Sequence, residues 1–314
     1  MTEFDLIERI RSRVSRTDSV ILGIGDDAAV LRPTPGRHLV ATTDSLVQDR
    51  HFTAEWPSAD VGHLALAVNL SDLAAMAATP RWTLLSLTLP AADPVWLDGF
   101  LDGFLSLADQ AGVALVGGNL SSGALNITVQ ALGEVAPGGE LRRQRTLPGD
   151  YLVVTGTLGD AGAALASGSA GDPRLLVRLR RPRPRLAAGQ ALGPTARSMI
   201  DLSDGLGADL GHLLGAGQGA EVQLAELPTS TALASLQPAP QRRWPWQVQA
   251  GGDYELLAAV APEHLVAARR DCRAAGASLT VIGRVTAEPG IVWRGSDGET
   301  VDIETGGWDH FRAV

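Results

Sequence analysis

Four segments of this 314-residue chain set aspartates among small and apolar neighbours: GIGDDAA (Gly23 to Ala29), TTDSL (Thr42 to Leu46), NLSDLAAM (Asn69 to Met76) and IDLSDGLGADLG (Ile200 to Gly211). A solvated acidic surface interleaves charges of both signs, and these segments do not. Where such carboxylates converge, a pair ~4 Å apart repels by ~4 kcal/mol at an effective dielectric of about 20, so a cation must sit among them. The chain supplies no lysine; all 26 of its basic residues are arginine, and none lies in the four segments. A hard divalent cation with oxygen ligands, Mg²⁺ before Ca²⁺ or Mn²⁺, is the leading counter-charge. The same absence of lysine excludes a Walker A loop, a protein-kinase strand lysine and Schiff-base catalysis.

Each motif has a competing reading. GIGDDA fits the pattern G-x-G-x-x-A, but a dinucleotide loop must open a helix, and Pro33 and Pro35 forbid one here. Asp26 and Asp27 then read as turn residues or as ligands. Asp72 follows Asn69 by three positions on an apolar helix, so the two share a face. A buried carboxylate without a partner costs several kcal/mol. Asp72 is therefore either bonded to Asn69 or a backbone donor, or is a metal ligand beside Asp44. Asp201, Ser203 and Asp204 precede a helix, where Ser203 or Asp204 could cap it and where backbone N–H groups could also receive phosphate. The run from Arg180 to Arg185, with prolines at 182 and 184, reads as a stiff connector rather than a binding patch.

Elements to position these residues can be drawn from the pattern. A first helix covers Phe4 to Val14; a strand from His38 to Thr43 delivers Thr42, Thr43 and Asp44 at its end. Val61 to Ala78 is a helix apolar on nearly every face, and so buried, with Pro80 ending it. Strands at Trp82 to Leu89, Val113 to Val116 and Asn126 to Val135 flank a helix from Pro94 to about Ala111. A turn at Pro148-Gly149-Asp150 separates residues 1–147 from 148–314. The second half carries strands at Tyr151 to Thr155, near Met199, Glu221 to Leu224, Glu255 to Val260 and Thr280 to Val285, with helices from Leu206 and after Pro262. This alternation predicts an α/β (α+β) chain of two domains.

Composition narrows the partners. A net charge of −9 argues against nucleic acid or an anionic membrane. The single cysteine, Cys272, excludes a disulfide framework and a cysteine zinc site, and suits a cytoplasmic location. MTEFDLIERIRSR is charged and amphipathic, unlike a signal peptide, and Asn69 and Asp72 interrupt the longest apolar stretch.

In this order, GIGDDAAVL, TTDSLVQDRHF, ALAVNLSDLAAMAATPRW, VGGN, LPGDYLVVTGTLGDAGAAL, RPRPR, IDLSDGLGADLGHL, GGDYELL and GWDHF resemble the thiamine-monophosphate kinases. That family shares a superfamily with aminoimidazole ribonucleotide synthetase, selenophosphate synthetase and a hydrogenase maturation protein. The resemblance implies an N-terminal domain of residues 1–147 that binds ATP and Mg²⁺ and completes a barrel across a homodimer, followed by a C-terminal α/β domain. It implies transfer of the γ-phosphoryl of ATP to thiamine monophosphate. Carried over by motif, Asp27, Thr42, Thr43, Asp44, Asp72, Asn119, Asp201 and Asp204 would bind several Mg²⁺ ions. Gly118, Asn119, Arg143 and Ser203 would contact ATP; His51, Gly252 and Trp308 would contact the acceptor. No general base is implied, because the acceptor phosphate is already mostly ionised near pH 7.

Two positions depart from the family pattern. Asn119 stands where an aspartate is usual, and Gly252 where a substrate-contacting glutamate is usual. Asp253 is a candidate to replace the latter carboxylate. The departures leave open a homologue that binds nucleotide or thiamine phosphate without turnover, and the superfamily leaves open a sister ATP-dependent synthetase.

Overall fold

The computed structural model describes residues 2–15, 17–303 and 305–307. They form two compact units: Met1–Leu73 with Ala78–Gly138, and Ala74–Ala77 with Gly139–Val314.

The first unit opens with α1 (Glu3–Arg11), started by a reciprocal cap in which Thr2 Oγ1 accepts from Asp5 N and Asp5 Oδ2 accepts from Thr2 N. β1 (Val20–Leu22) and β2 (Val30–Leu31) form an antiparallel ribbon around the GIGDDAA turn. The chain enters a strand and not a helix after this turn, as Pro33 and Pro35 require. β3 (His38–Val47) then pairs along its whole length with β6 (Asn126–Val135). Thr42, Thr43 and Asp44 therefore lie inside β3 and not at its end, because the β6 ladder continues through Val47↔Asn126.

α2 (Ser58–Ala75) is buried along almost its whole length from Val61, as its uniformly apolar sequence predicts. It ends five residues before Pro80, at a turn in which Ala77 takes a φ of 56° and Ala78 N donates to Leu73 O. Pro80 lies instead near the start of β4 (Thr79–Leu89). α3 (Pro94–Ala111) begins at an Asp93 cap and crosses over to β5 (Ala114–Ser122), which pairs parallel to β4. The sheet order is β3-β6-β4-β5. Its covered face packs Leu85, Leu87, Ile127 and Val129 into the unit's apolar core, where α2 and α3 contribute Leu66, Leu70, Phe100 and Phe104.

The second unit follows with β7 (Tyr151–Thr155), α4 (Asp160–Ser167), α5 (Pro173–Arg180), α6 (Leu186–Leu192), β8 (Ala196–Asp201), α7 (Leu206–Leu213) and β9 (Gly219–Gln223). It closes with α8 (Thr231–Leu236), α9 (Pro240–Val248), β10 (Leu256–Val260), α10 (Leu265–Ala274), β11 (Leu279–Thr286), β12 (Gly290–Arg294) and β13 (Thr300–Val301). One sheet joins its strands in the order β13-β12-β9-β11-β7-β10-β8, antiparallel except between β9 and β12. Both faces are buried. Leu152, Val154, Ile200 and Leu257 enter one apolar cluster, while Val153, Met199, Leu256 and Ala258 enter the other. The period-2 alternation of β7 divides its side chains between the two. No described helix is long and apolar enough to cross a membrane.

Candidate active site

Within the first unit, strand period and helix period meet at one place. Thr42 and Asp44, two residues apart on β3, leave the strand on the same side. Asn69 and Asp72, three apart on α2, share a helix face. Thr42 Oγ1 donates to Asp72 Oδ2 at 2.5 Å, and Asp44 N donates to Asn69 Oδ1 at 3.1 Å. Asn69, fully buried, is further fixed by donating from Nδ2 to Ala65 O at 3.1 Å. The partner found for Asp72 is thus a threonine on the neighbouring strand, and Asn69 serves Asp44. Thr42, Asp44 and Asp72 are half-buried and present only oxygen donors, a set that suits Mg²⁺.

Other expected residues of this unit lie around that pairing. Thr43 leaves β3 on the opposite side, and its hydroxyl donates to Val129 O at 3.1 Å. Asp27 is exposed in the GIGDDAA turn, where its N–H donates to Asp26 Oδ1 at 2.8 Å. Asn119 is exposed on β5, in register with Ser86, Thr128 and Ser45, while Gly118 stands in the row of Asp44. His51 follows β3, and its Nδ1 lies 3.0 Å from Val47 N and 3.4 Å from Val47 O.

In the second unit, Asp201 closes β8 and is buried; Ser203 and Asp204 follow it, half-buried. Neither caps α7. The N-cap is Gly205, at a φ of 116°, with no side-chain cap. The N–H groups of Asp204 and Gly205 donate to Asp209 Oδ2, from one turn inside the helix, at 3.1 and 3.2 Å. Burial pushes the Asp209 carboxyl up to about 7, against these N–H groups, and the Arg143 guanidinium pulls weakly downward. Arg143 itself is exposed, on a segment tied to β8 by the Arg145 N to Ser198 Oγ bond of 2.7 Å.

The Gly251–Glu255 loop lies against this segment. Gly252 N donates to Ser203 O at 2.9 Å, Tyr254 N to Leu202 O at 2.9 Å, and Leu202 N to Glu255 O at 2.8 Å. Asp253 does not stand in for the carboxylate missing at 252. It is buried and turned away, accepting from Gly159 N at 2.7 Å and Ala161 N at 3.3 Å at the start of α4. Sequence reading also missed Glu255, a fully buried carboxylate that meets Arg178 and Arg185. The arginine-proline run is therefore more than a connector, since its last residue is an internal anchor. Pairing across 70 residues leaves no local signal. Asp209 does sit in the quoted IDLSDGLGADLG motif. Trp308 lies outside the described residues.

Among the described residues no group of three or more His, Cys, Asp or Glu side chains is gathered as a metal cage. Within the first unit, Asp44 and Asp72 with the Thr42 hydroxyl are nevertheless an oxygen donor set of the kind that suits Mg²⁺, which keeps waters and completes its shell with substrate phosphates.

Residues 25–135 match the family described as AIR synthase related protein, N-terminal domain, and residues 148–294 match AIR synthase related protein, C-terminal domain. The chain is 42% identical over 320 residues to the thiamine-monophosphate kinase of Escherichia coli strain K12, covering 98% of each. The crystal structure of thiamine-monophosphate kinase from Stenotrophomonas maltophilia K279a is 40% identical, with a TM-score of 0.87 over 96% of this chain and 98% of that one. The structure of AaThiL complexed with AMPPCP and TMP is 29% identical, with a TM-score of 0.77 over 98% of this chain and 97% of that one. The chain belongs to the thiamine-monophosphate kinase family of the AIR synthase-related proteins.

Proposed function

We propose that the chain transfers the γ-phosphoryl group of ATP directly to the phosphate of thiamine monophosphate, in line and with several Mg²⁺ ions, giving thiamine diphosphate and ADP. It acts as a thiamine-phosphate kinase. The observation that carries the reading is the interlock of Thr42 and Asp44 with Asp72 and Asn69, which holds hard oxygen donors at fixed spacing. AaThiL, its relative, is complexed with an ATP analogue and TMP.

Donor and acceptor are both phosphate anions, so the barrier is chiefly that of bringing like charges together. Mg²⁺, when bound, neutralises that charge and orients the oxygens. Asp27, Thr42, Thr43, Asp44, Asp72 and the neutral Asn119 would hold ions from the first unit, and Asp201 and Asp204 from the second. Gly118, Asn119, Arg143 and Ser203 would contact the nucleotide. His51 would donate to the acceptor phosphate and not act as a base. Gly252 would contact the acceptor through its backbone, and the expectation for Trp308 stands beside it as an aromatic partner for the cationic thiazolium.

A homodimer is part of the same reading. β3 is a ten-residue edge strand with exposed Leu39 and Val47, and long apolar edges call for cover. Sedimentation tests it. The function itself is tested by Mg²⁺-dependent ADP formation with and without thiamine monophosphate. The acceptor should stimulate ADP release strongly; equal release in its absence overturns the proposal.

A further inference from the structure

Glu255 is fully buried and receives four hydrogen bonds. Oε1 accepts from Arg178 Nη2 at 2.7 Å and Arg185 Nη2 at 2.5 Å; Oε2 accepts from Arg185 Nε at 2.6 Å and Thr155 Oγ1 at 2.7 Å. The Arg185 pair is bidentate, the geometry that fixes a carboxylate in orientation as well as in place. Gly156, at a φ of 58°, adds a wall: a Cβ there would stand 2.1 Å from Glu255 Oε1. Thr155 Oγ1 also accepts from Leu256 N at 2.8 Å. The side chain of Glu255 thus cannot turn without disturbing β7, β10 and the arginines together.

The loop that this clamp terminates is conformationally costly. Gly252 has a φ of 92° and Tyr254 a φ of 49°, a region that L residues with side chains rarely occupy. Buried carboxylates flank Tyr254: Asp253 accepts from backbone N–H groups at the start of α4, and Glu255 accepts from the arginine side chains. A buried ion pair is a poor device for stability alone, since apolar residues of similar volume often serve as well. What the charged version supplies here is a defined direction for the loop.

We infer that Arg178, Arg185 and Glu255 are positioning residues that hold the Gly251–Tyr254 loop for acceptor binding. The inference rests on the proposed role of Gly252. The neighbouring Asp201–Gly205 segment has its own supports, in the pairing of β8 with β10 and in Asp209 beneath Asp204 and Gly205. Loss of the clamp should therefore act on the acceptor and largely spare the nucleotide.

The test measures binding of thiamine monophosphate by titration calorimetry, KM for each substrate, and Tm, in Arg185→Ala and in the more exposed Arg178→Gln. Both variants should weaken acceptor binding and raise its KM at least about tenfold, while KM for Mg²⁺-ATP stays within about twofold. Ethylguanidinium added to Arg185→Ala should restore acceptor affinity, which a general loss of stability would not permit. A lowered Tm with both KM values unchanged, or an equal rise in both, overturns the inference. If Arg185→Ala does not fold, the KM split in Arg178→Gln decides. A wild-type chain that binds no thiamine monophosphate overturns the proposed function, and this inference with it; wild-type binding with unaffected variants overturns only the inference.

Discussion

Thr42 donates its hydroxyl to the Asp72 carboxylate, and this bond sets the register of β3 on α2. One helical turn away, the Asp44 N–H reaches the Asn69 amide in the same sense. Two residues along a strand span about 6.6 Å, and three along a helix about 4.5 Å. The pair of contacts can be satisfied together only with the two elements crossing at one depth. The oxygens of Asp44 and Asp72 are thereby held by backbone elements and not by a loop, which is what an electrostatic site needs to be preorganised.

Asp72→Asn should abolish most of the turnover while leaving the fold intact. The amide oxygen still accepts from Thr42, so the β3–α2 register is kept, but the charge is gone. The expected loss in kcat is on the order of 10²–10³-fold, the range for removing one preorganised charge-stabilising group. Tm should move by no more than a few degrees. Steady-state kinetics beside a thermal melt checks this; wild-type kcat in the variant would show that Asp72 holds no ion during turnover.

Asn119→Asp restores the carboxylate usual in the family at an exposed position of an edge strand, where an added charge meets little desolvation. If Asn119 contributes an oxygen to an ion, the half-saturating Mg²⁺ concentration should fall by about three- to tenfold, since Mg²⁺ affinity follows ligand charge. A Mg²⁺ titration at saturating substrates reads the effect. An unchanged midpoint would separate Asn119 from the metal and leave it a nucleotide contact.

The elements were most legible where one face or all faces carry a clear period. Pro94–Ala111, Asn126–Val135 and Tyr151–Thr155 appear within the bounds that periodicity assigns them. Strand ends were less legible: β3 and β5 run on through polar residues because a partner ladder pays no heed to side-chain polarity. Pro80 misled for a related reason, since Ala77 had already turned the chain and a proline near the start of a strand costs little. α4, α5, α6, α8 and α9 escaped notice because short helices give few repeats of their period. Of the site, the aspartate motifs were visible as chemistry, but their partners were not. Nothing local in GGDYEL tells that Asp253 binds the start of α4 or that Glu255 binds Arg178 and Arg185.

Cys272 should be inert in the folded chain. It is fully buried on α10, and burial first, then the charge of Asp271, pushes its thiol up to about 11. At pH 8 such a thiol is ionised in about one molecule in a thousand, and thiolate is the reactive form. Iodoacetamide should leave kinase activity untouched, and Ellman's reagent should report one thiol only after denaturant is added. Rapid labelling with loss of activity would instead point to cysteine chemistry of the kind a sister synthetase uses.

Asp253 gives the stability of the second unit a pH dependence of defined sign. Burial, opposed by the Gly159 N–H and aided by the charge of Asp160, raises its carboxyl from the ordinary 3.8 to about 7. The folded state therefore keeps a proton that the unfolded chain has already released between about pH 4 and about pH 7. The contribution is fully present below the unfolded value and is lost as pH rises through the folded one. One proton of difference is worth at most ~1.4 kcal/mol per pH unit. Asp253→Asn removes the titration yet keeps an oxygen for the Gly159 N–H, so α4 retains its anchor. Relative to this variant, the wild-type chain should lose stability steadily from about pH 4 to about pH 7, and the gap should then level off. Urea unfolding of both proteins across that range reads the difference directly, and comparison of the pair cancels other titrating groups such as Asp209. A gap that does not change with pH would mean that Asp253 is ionised throughout, held so by the helix start and Arg178 more strongly than burial opposes it.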